Sequence, residues 1–372
     1  MKIAFYCPNK PLLHPHPSGD LVIARGIAEE LNRAGHTCRE MVTFRSRWFW
    51  KSRRGWRNAL EGLRAAWRTT RAFHPDVWLT YHTYYKSPDI LGPLISRLQN
   101  IPYVLFQPMY ATKWRKRTET RPGFALNRFA LMTCRHAFAN NQDDLEALRR
   151  VLPDEKLTYL PPGIFPEDFQ RNEAAGRTLR ALYGIAPDTP LLLSVARFRP
   201  GVKFESLVYL FNALALARKM GQDFICLVAG DGAMEAELRM LAESVLPRRV
   251  IFTGRVARGE LHRFYSAADL FVFPGIGESL GMVFLEAQAC GLPVVALNTG
   301  GIPQVVQAGL TGLLAPQDGG EAMAQAIHSL LRDPGRRAAL AAAGPTFIRD
   351  ERNLHRNYLE LARKLERIAF GR

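Results

Sequence analysis

Residues 277–296 read Gly-Glu-Ser-Leu-Gly-Met-Val-Phe-Leu-Glu-Ala-Gln-Ala-Cys-Gly-Leu-Pro-Val-Val-Ala, and the fold turns on this stretch. An apolar run, Leu270–Phe273, precedes it and another, Val294–Ala296, closes it. A glycine-containing turn and the helix formers of Gly281–Cys290 lie between, so the pattern predicts strand, turn, helix, strand. A helix that opens straight out of such a turn offers free backbone amides, which suit an anion such as a diphosphate. Glu278 stands at the mouth of the turn. Glu286 follows a little over two helical turns later, so the two carboxylates are expected on one side, as acceptors for hydroxyl groups. The plainer reading is two solvated acids near a helix start, where acids are common.

Outward from this segment the same rhythm covers the chain. Apolar or β-branched runs at Lys2–Cys7, Thr37–Thr43, Val77–Tyr81, Tyr103–Phe106 and Ala137–Asn140 alternate with helical stretches at Asp20–Ala34, Trp56–Phe73, Pro88–Gln99 and Gln142–Val151. The rhythm restarts at Leu191–Val195 and continues through Phe224–Ala229 and Val250–Thr253, and finally through Gly312–Leu314. Alternation of this kind marks parallel α/β sheets. Pro161-Pro-Gly-Ile-Phe-Pro, with the polar stretch to about Arg177, reads as a linker. The expected organisation is therefore α/β: two Rossmann-like domains facing across a cleft, residues 1–165 and 166–347. An amphipathic C-terminal helix, 348–372, should pack back on the first domain. Ligands of open α/β sheets sit beyond the C-terminal strand ends, which makes the cleft the default site.

At 372 residues with 47 % apolar composition the chain can fill two cores. No apolar run reaches the ~18 residues a membrane span needs. The N-terminus turns too soon for a secretory signal, and the five scattered cysteines form no Cys-x-x-Cys pair, so a cytoplasmic, reduced protein is expected. Net charge is +16 and lopsided: residues 1–150 hold 25 basic against 11 acidic residues. An anionic partner for the first domain follows: nucleic acid, a membrane surface or a phosphorylated acceptor.

Glu-x7-Glu followed by Ala-x-Ala-x-Gly-x-Pro-Val-Val resembles the signature of the retaining family 4 (GT4) glycosyltransferases of GT-B fold. Asn298-Thr-Gly-Gly, Gly309-Leu-Thr-Gly-Leu-Leu, Gly35-His36, Tyr159-Leu-Pro-Pro-Gly, Ala229-Gly-Asp-Gly and Phe252-Thr-Gly-Arg-Val extend the likeness in order over nearly the whole chain. The resemblance implies a hexosyltransferase that moves a sugar from a nucleoside-diphosphate donor to a lipid-linked or phosphorylated glycan, as in cell-envelope polysaccharide or lipopolysaccharide assembly. UDP is slightly favoured over GDP. It implies that Glu278 contacts the transferred sugar and Glu286 the donor ribose. It also implies that the amides of Ser279, Leu280, Gly281 and Met282 hold diphosphate and sugar, and that Gly254-Arg255-Val256 meets the base. Arg197 and Lys203 resemble the family's cationic pair for the leaving diphosphate, a charge-stabilising role. The lysine stands six residues after the arginine rather than five, and Phe204 replaces the glycine that normally follows, so Arg199 shares the candidacy.

In the first domain, Ser18-Gly19-Asp20 resembles the family's Gly-Gly loop. Gly19 allows close backbone approach, while Ser18 can equally cap a helix. His82 ends a strand and is the leading histidine for contact with reacting sugar or acceptor; in place of a second histidine stand Gln107 or Tyr110. Arg45, Trp48, Trp50, Lys51, Arg53, Arg54 and Trp56, with Lys113, Arg115 and Lys116, interleave aromatic and basic residues as at a lipid headgroup boundary. From Trp56 an amphipathic helix continues, with Leu60, Leu63, Trp67 and Phe73 on its apolar face. The expectation is peripheral contact with an anionic inner leaflet; the alternative is a solvated basic face over an ordinary core stripe. No His/Cys cluster or Asp-x-Asp at a strand end suggests a metal, so neither metal nor cofactor is expected. Two other classes compete: a nucleotide-sugar epimerase or hydrolase on the same fold, and, more remotely, a nucleic-acid-binding protein. No recognised nucleic-acid-binding motif supports the latter.

Overall fold

The computed structural model describes residues 1–15 and 19–371. The chain divides into two compact units, Met1–Pro161 with His355–Arg372, and Pro162–Leu354. The first contains strands β1 (Lys2–Tyr6), β2 (Thr37–Glu40), β3 (Val77–Tyr81), β4 (Tyr103–Phe106), β5 (His136–Ala139) and β6 (Leu157–Tyr159). They form one sheet in the order β2-β1-β3-β4-β5-β6. The second contains β7 (Leu191–Val195), β8 (Ile225–Ala229), β9 (Val250–Gly254), β10 (Leu270–Val272), β11 (Val294–Leu297) and β12 (Gly312–Ala315), ordered β12-β11-β10-β7-β8-β9. Every pairing is parallel.

Helices cover both faces of a parallel sheet, so its central strands are buried and mostly apolar: all five residues of β3 and all three of β10 are buried, and the one polar side chain of β3 outside its tyrosine, Thr80, donates to Asp89 Oδ2 at 2.5 Å. The helix Met282–Ala289 is mostly apolar and buried, with Phe284, Leu285 and Ala287 fully buried and the two polar residues Glu286 and Gln288 enclosed with them, as befits a helix inside the second unit. Strand order reverses between β1 and β3 in the first unit and between β7 and β10 in the second. These switch points open a crevice at the strand ends.

Several sequence expectations need correction. The polar stretch to Arg177 is not linker throughout: Asn172 Oδ1 accepts from Ala175 N at 3.0 Å and caps a helix, Glu173–Leu182. Gly176 of that helix packs against the Ser266 carbonyl so closely that a Cβ would lie 2.6 Å from its oxygen. The first division falls after Pro161 rather than at 165/166, and the last at 354/355 rather than 347/348. The expected single C-terminal helix is two, Pro334–Glu351 in the second unit and Leu354–Phe370. In the latter, Tyr358, Leu361 and Leu365 are buried, and Asn357 Nδ2 donates to the Pro161 carbonyl at 2.7 Å. Helices Arg121–Thr133 and Glu321–Arg332 were not anticipated.

Candidate active site

The second unit's switch point assembles the charged residues. β10 ends at Val272, and three left-handed glycines, Gly275 (φ 72°), Gly277 (φ 70°) and Gly281 (φ 60°), then shape the path to the helix at Met282. Gly277 lets the turn lie against the neighbouring helix Val202–Lys219, since a Cβ there would approach Val202 to 3.0 Å. Ile276 N donates to Ser206 Oγ at 3.0 Å and fastens the same contact. From the other side Gly301 N donates to the Glu278 carbonyl at 2.9 Å. The result is an ion pair between Lys203 Nζ and the Glu278 carboxylate, both side chains largely shielded from solvent.

Lys203 lies in the first turn of its helix, where the backbone dipole disfavours a cation. Burial, and secondarily the charge of Arg199, push its ammonium down to about 8. An excess of positive potential at one spot is a good receptor for a diphosphate. The helix at Met282 adds its first-turn amides, which precede the first intrahelical bonds, with Gly281 rather than a side chain as cap.

Glu286 does not share a helical face with Glu278, because the helix begins only at Met282. It is only 5 % exposed. Tyr265 Oη donates to Glu286 Oε2 at 2.9 Å, and Arg258 Nε lies 3.5 Å from Oε1. Burial raises its carboxyl to about 7, against the lowering effect of Arg258 and the Tyr265 hydrogen bond. Arg197 is exposed and pairs with Asp231 at 3.8 Å, whereas Arg199 is the cation whose charge reaches Lys203. Phe204 packs against the core. Gly254 (φ 73°) ends β9, and its carbonyl accepts from Gly230 N at 2.9 Å; Arg255 is exposed and Val256 packs inward. Sequence reading missed Tyr265, Arg258 and the buttress of Gly300 and Gly301. Only the glycines had a signal, the Asn298-Thr-Gly-Gly motif. Cβ atoms there would lie 2.5 Å from the Glu278 carbonyl oxygen and 1.9 Å from that of Ser279.

The first unit's switch point is built differently. His82 and Gln107 follow β3 and β4, and both adopt left-handed backbone, at φ 60° and 54°. Such conformations are strained for non-glycine residues and gather at functional sites. His82 Nδ1 lies 3.3 Å from the Gln107 carbonyl oxygen, and Tyr81 Oη donates to Gln107 Oε1 at 3.0 Å. Cys7, Asn9, Lys10, Asp20 and Leu21 line a small hollow with Tyr81 and His82. Tyr110 instead packs on Phe124, so Gln107 is the alternative that stands beside His82. Gly19 begins the helix Gly19–Arg33 and a Cβ there meets nothing within 4 Å, while Ser18 lies outside the described residues.

The basic aromatic segments fold into a ring cluster with a charged rim. Tyr85 stacks on Trp114 at 4.1 Å, Trp48 lies 5.3 Å from Trp50, and Phe49 lies 5.0 Å from Trp56. Lys51 sits 4.3 Å above the Trp48 ring and 3.5 Å from Glu119. Arg45 Nε donates to the Asn9 carbonyl at 3.0 Å. Ser52 caps the helix Arg53–Phe73, which puts Arg53 and Arg54 at its positive end, both exposed along with Lys113, Arg115 and Lys116. The apolar stripe is divided: Leu63, Trp67 and Phe73 pack on the core, and only Trp56 and Leu60 stay exposed. No described helix is long and apolar enough to cross a membrane.

The family model for glycosyl transferases group 1 matches residues 177–347. The alpha-maltose-1-phosphate synthase of Mycobacterium tuberculosis is 30 % identical over 285 residues, 71 % of this chain and 72 % of that protein. The chain belongs to the group 1 glycosyltransferases, of GT4 type. Another relative, the GDP-mannose-dependent alpha-(1-6)-phosphatidylinositol monomannoside mannosyltransferase of M. tuberculosis, is 36 % identical over 204 residues, 53 % of this chain. The chain spans about half of that relative, 52 % of its length. Among solved structures, Anabaena HepE in complex with UDP has a TM-score of 0.78 at 20 % identity, over 98 % of this chain and 100 % of that one. Sucrose-phosphate synthase from Thermosynechococcus elongatus has a TM-score of 0.76 at 21 % identity, with both chains fully covered. These likenesses establish the GT-B fold. The family match lies within the unit that carries the Lys203–Glu278 pair.

Proposed function

We propose that this chain transfers a hexose from a nucleoside-diphosphate sugar to a glycan or glycolipid acceptor, with retention and without a metal ion. The Lys203–Glu278 ion pair beside the helix start at Met282 carries the reading. The cation, with Arg199 and Arg197 nearby in sequence, would neutralise charge as the diphosphate leaves; the carboxylate would accept from sugar hydroxyls. Glu286 would receive the ribose. His82, with Gln107, would face the reacting sugar or acceptor. Retention fits a route in which the leaving phosphate takes the acceptor proton on the same face, with no dedicated protein base.

The names of relatives move the donor preference away from UDP: GDP-mannose-dependent mannosyltransferases acting on phosphatidylinositol mannosides stand among them, so GDP-mannose is the first donor to try. A phosphorylated lipid acceptor also suits the exposed rim of Arg53, Arg54, Lys113, Arg115 and Lys116 with Trp56 and Leu60. The protein would then lie on an anionic membrane face. The test is radiolabelled GDP-mannose and UDP-glucose, each offered with anionic glycolipid vesicles in EDTA. Acceptor-dependent label transfer is expected. Donor turnover that needs no acceptor would point to an epimerase or hydrolase instead. In the same samples, equal sedimentation with neutral and anionic vesicles at low salt would defeat the membrane assignment.

A further inference from the structure

Glu286 is buried, yet both its carboxylate oxygens are engaged, and by groups from different elements. Oε2 receives Tyr265 Oη from the helix Leu261–Ala267. Oε1 faces Arg258 Nε at 3.5 Å from the short turn Arg258–Glu260. Arg258 does not stop there. Its Nη1 donates to Asp168 Oδ2 at 2.9 Å, and its guanidinium lies 4.8 Å over the Phe169 ring. Asp168 and Phe169 belong to the segment that follows the Pro161-Pro-Gly turn, where the second unit begins. One arginine therefore spans from the start of this unit to a carboxylate in its central helix.

We propose that Arg258 is a positioning residue of the donor site, holding the Glu286 carboxylate in place for the ribose hydroxyls and anchoring it to Asp168. The inference rests on the reading of Glu286 as the ribose acceptor and adds what makes that acceptor work. A carboxylate oxygen has two acceptor positions. Tyr265 and Arg258 use one on each oxygen, and one on each remains for a vicinal diol. The guanidinium is a fixed planar fork, so it can orient a carboxylate and hold Asp168 at once. Without it Glu286 keeps only the neutral Tyr265 donor within a buried setting. There the ionised form is disfavoured, and a protonated carboxyl gives up acceptor capacity.

The experiment compares binding of GDP and UDP with that of their 2′-deoxy counterparts by calorimetry, for the full chain and for Glu286→Gln, Arg258→Gln and Arg258→Lys. The unaltered protein should prefer the ribonucleotide by about tenfold or more, as expected for loss of a hydrogen bond to a charged group. Glu286→Gln should bring the two to within about twofold. Arg258→Gln should do nearly the same by weakening the ribonucleotide alone, and Arg258→Lys should keep at least half of the preference on a logarithmic scale. A merely structural arginine would weaken both nucleotides equally, and that result overturns the proposal. So does a preference that Glu286→Gln abolishes and Arg258→Gln keeps, which leaves the ribose assignment standing. Indifference of the unaltered protein to the 2′-hydroxyl overturns both.

Discussion

Two parallel six-stranded sheets, each with a switch point, carry differently built loops in one chain. At the β7/β10 switch the sequence concentrates glycines, and the backbone turns tightly enough to press Glu278 against Lys203. Beside the β1/β3 switch, at the ends of β3 and β4, the turning residues are His82 and Gln107, left-handed without being glycine. In the second unit the backbone is shaped by residues without side chains, so the functional side chains come from neighbouring positions. In the first unit the strained residues are themselves the candidate groups, at a cost of order 1–3 kcal/mol each that the surrounding packing must offset. A glycine turn with opposed charges suits a diphosphate, whose geometry is constant. A pocket of strained polar side chains suits a partner recognised by its hydroxyl pattern.

The strongest way to break this comparison is to remove the charges of the second switch point. Glu278→Ala and Lys203→Ala should each lower sugar transfer by at least ~10²-fold, as for other groups that stabilise developing charge, with unchanged circular dichroism. The double variant should lose about as much as the worse single one, because the two act as a unit. His82→Ala, by contrast, should leave nucleotide affinity within about twofold. Equal loss of nucleotide binding on both sides would erase the distinction between the switch points.

A smaller effect comes from titration. Burial raises Glu286 to about 7, so its charge is lost as pH falls through that value. Burial and Arg199 lower Lys203 to about 8, so its charge is lost as pH rises through that value. The profile of kcat/KM, which reports groups of the free enzyme, should be a narrow bell falling about tenfold per pH unit outside those limits. Lys203→Arg should shift the alkaline limb upward, because a guanidinium stays charged, and Glu286→Gln should flatten the acid limb. An alkaline limb unmoved in Lys203→Arg would assign that ionisation elsewhere.

The unequal legibility of the two regions has the same origin. The turn 277–281 could be read directly, since glycine spacing states a backbone requirement and Glu278 lies within it. Central strands such as β3 and β7 were readable to the residue because a strand buried on both faces is a nearly continuous apolar run, broken here only by the small Thr80 and Ser194. The face shared by Glu278 and Glu286 was misread: the sequence shows spacing, whereas the orientation of Glu286 depends on Tyr265 and Arg258, more than twenty residues earlier, which no local pattern marks. The helix at Glu173 was mistaken for linker because its face is polar and short; its order comes from the Asn172 cap and the packing of Gly176. In the basic segment, periodicity could not tell exposed from core-facing apolar residues, and the structure divides them between the exposed Trp56 and Leu60 on one hand and Leu63, Trp67 and Phe73 on the other.

The finest test uses one glycine from each region. Gly301→Ala would put a Cβ 1.9 Å from the Ser279 carbonyl oxygen, a backbone atom that can move only if the donor turn moves. Overpacking of this kind costs about 1–3 kcal/mol, so thermal stability and nucleotide affinity should fall together. Gly19→Ala meets nothing within 4 Å at the first position of a helix and needs no left-handed backbone. Stability should hold or rise by about 0.5 kcal/mol, since alanine loses less chain entropy than glycine on helix formation. Any function of Gly19 is then isolated: if its role is close approach of the backbone to a phosphate or acceptor, transfer falls while the melting temperature does not. If transfer and stability are both unchanged, Gly19 is an ordinary helix start, and acceptor recognition in the first unit rests with His82 and Gln107.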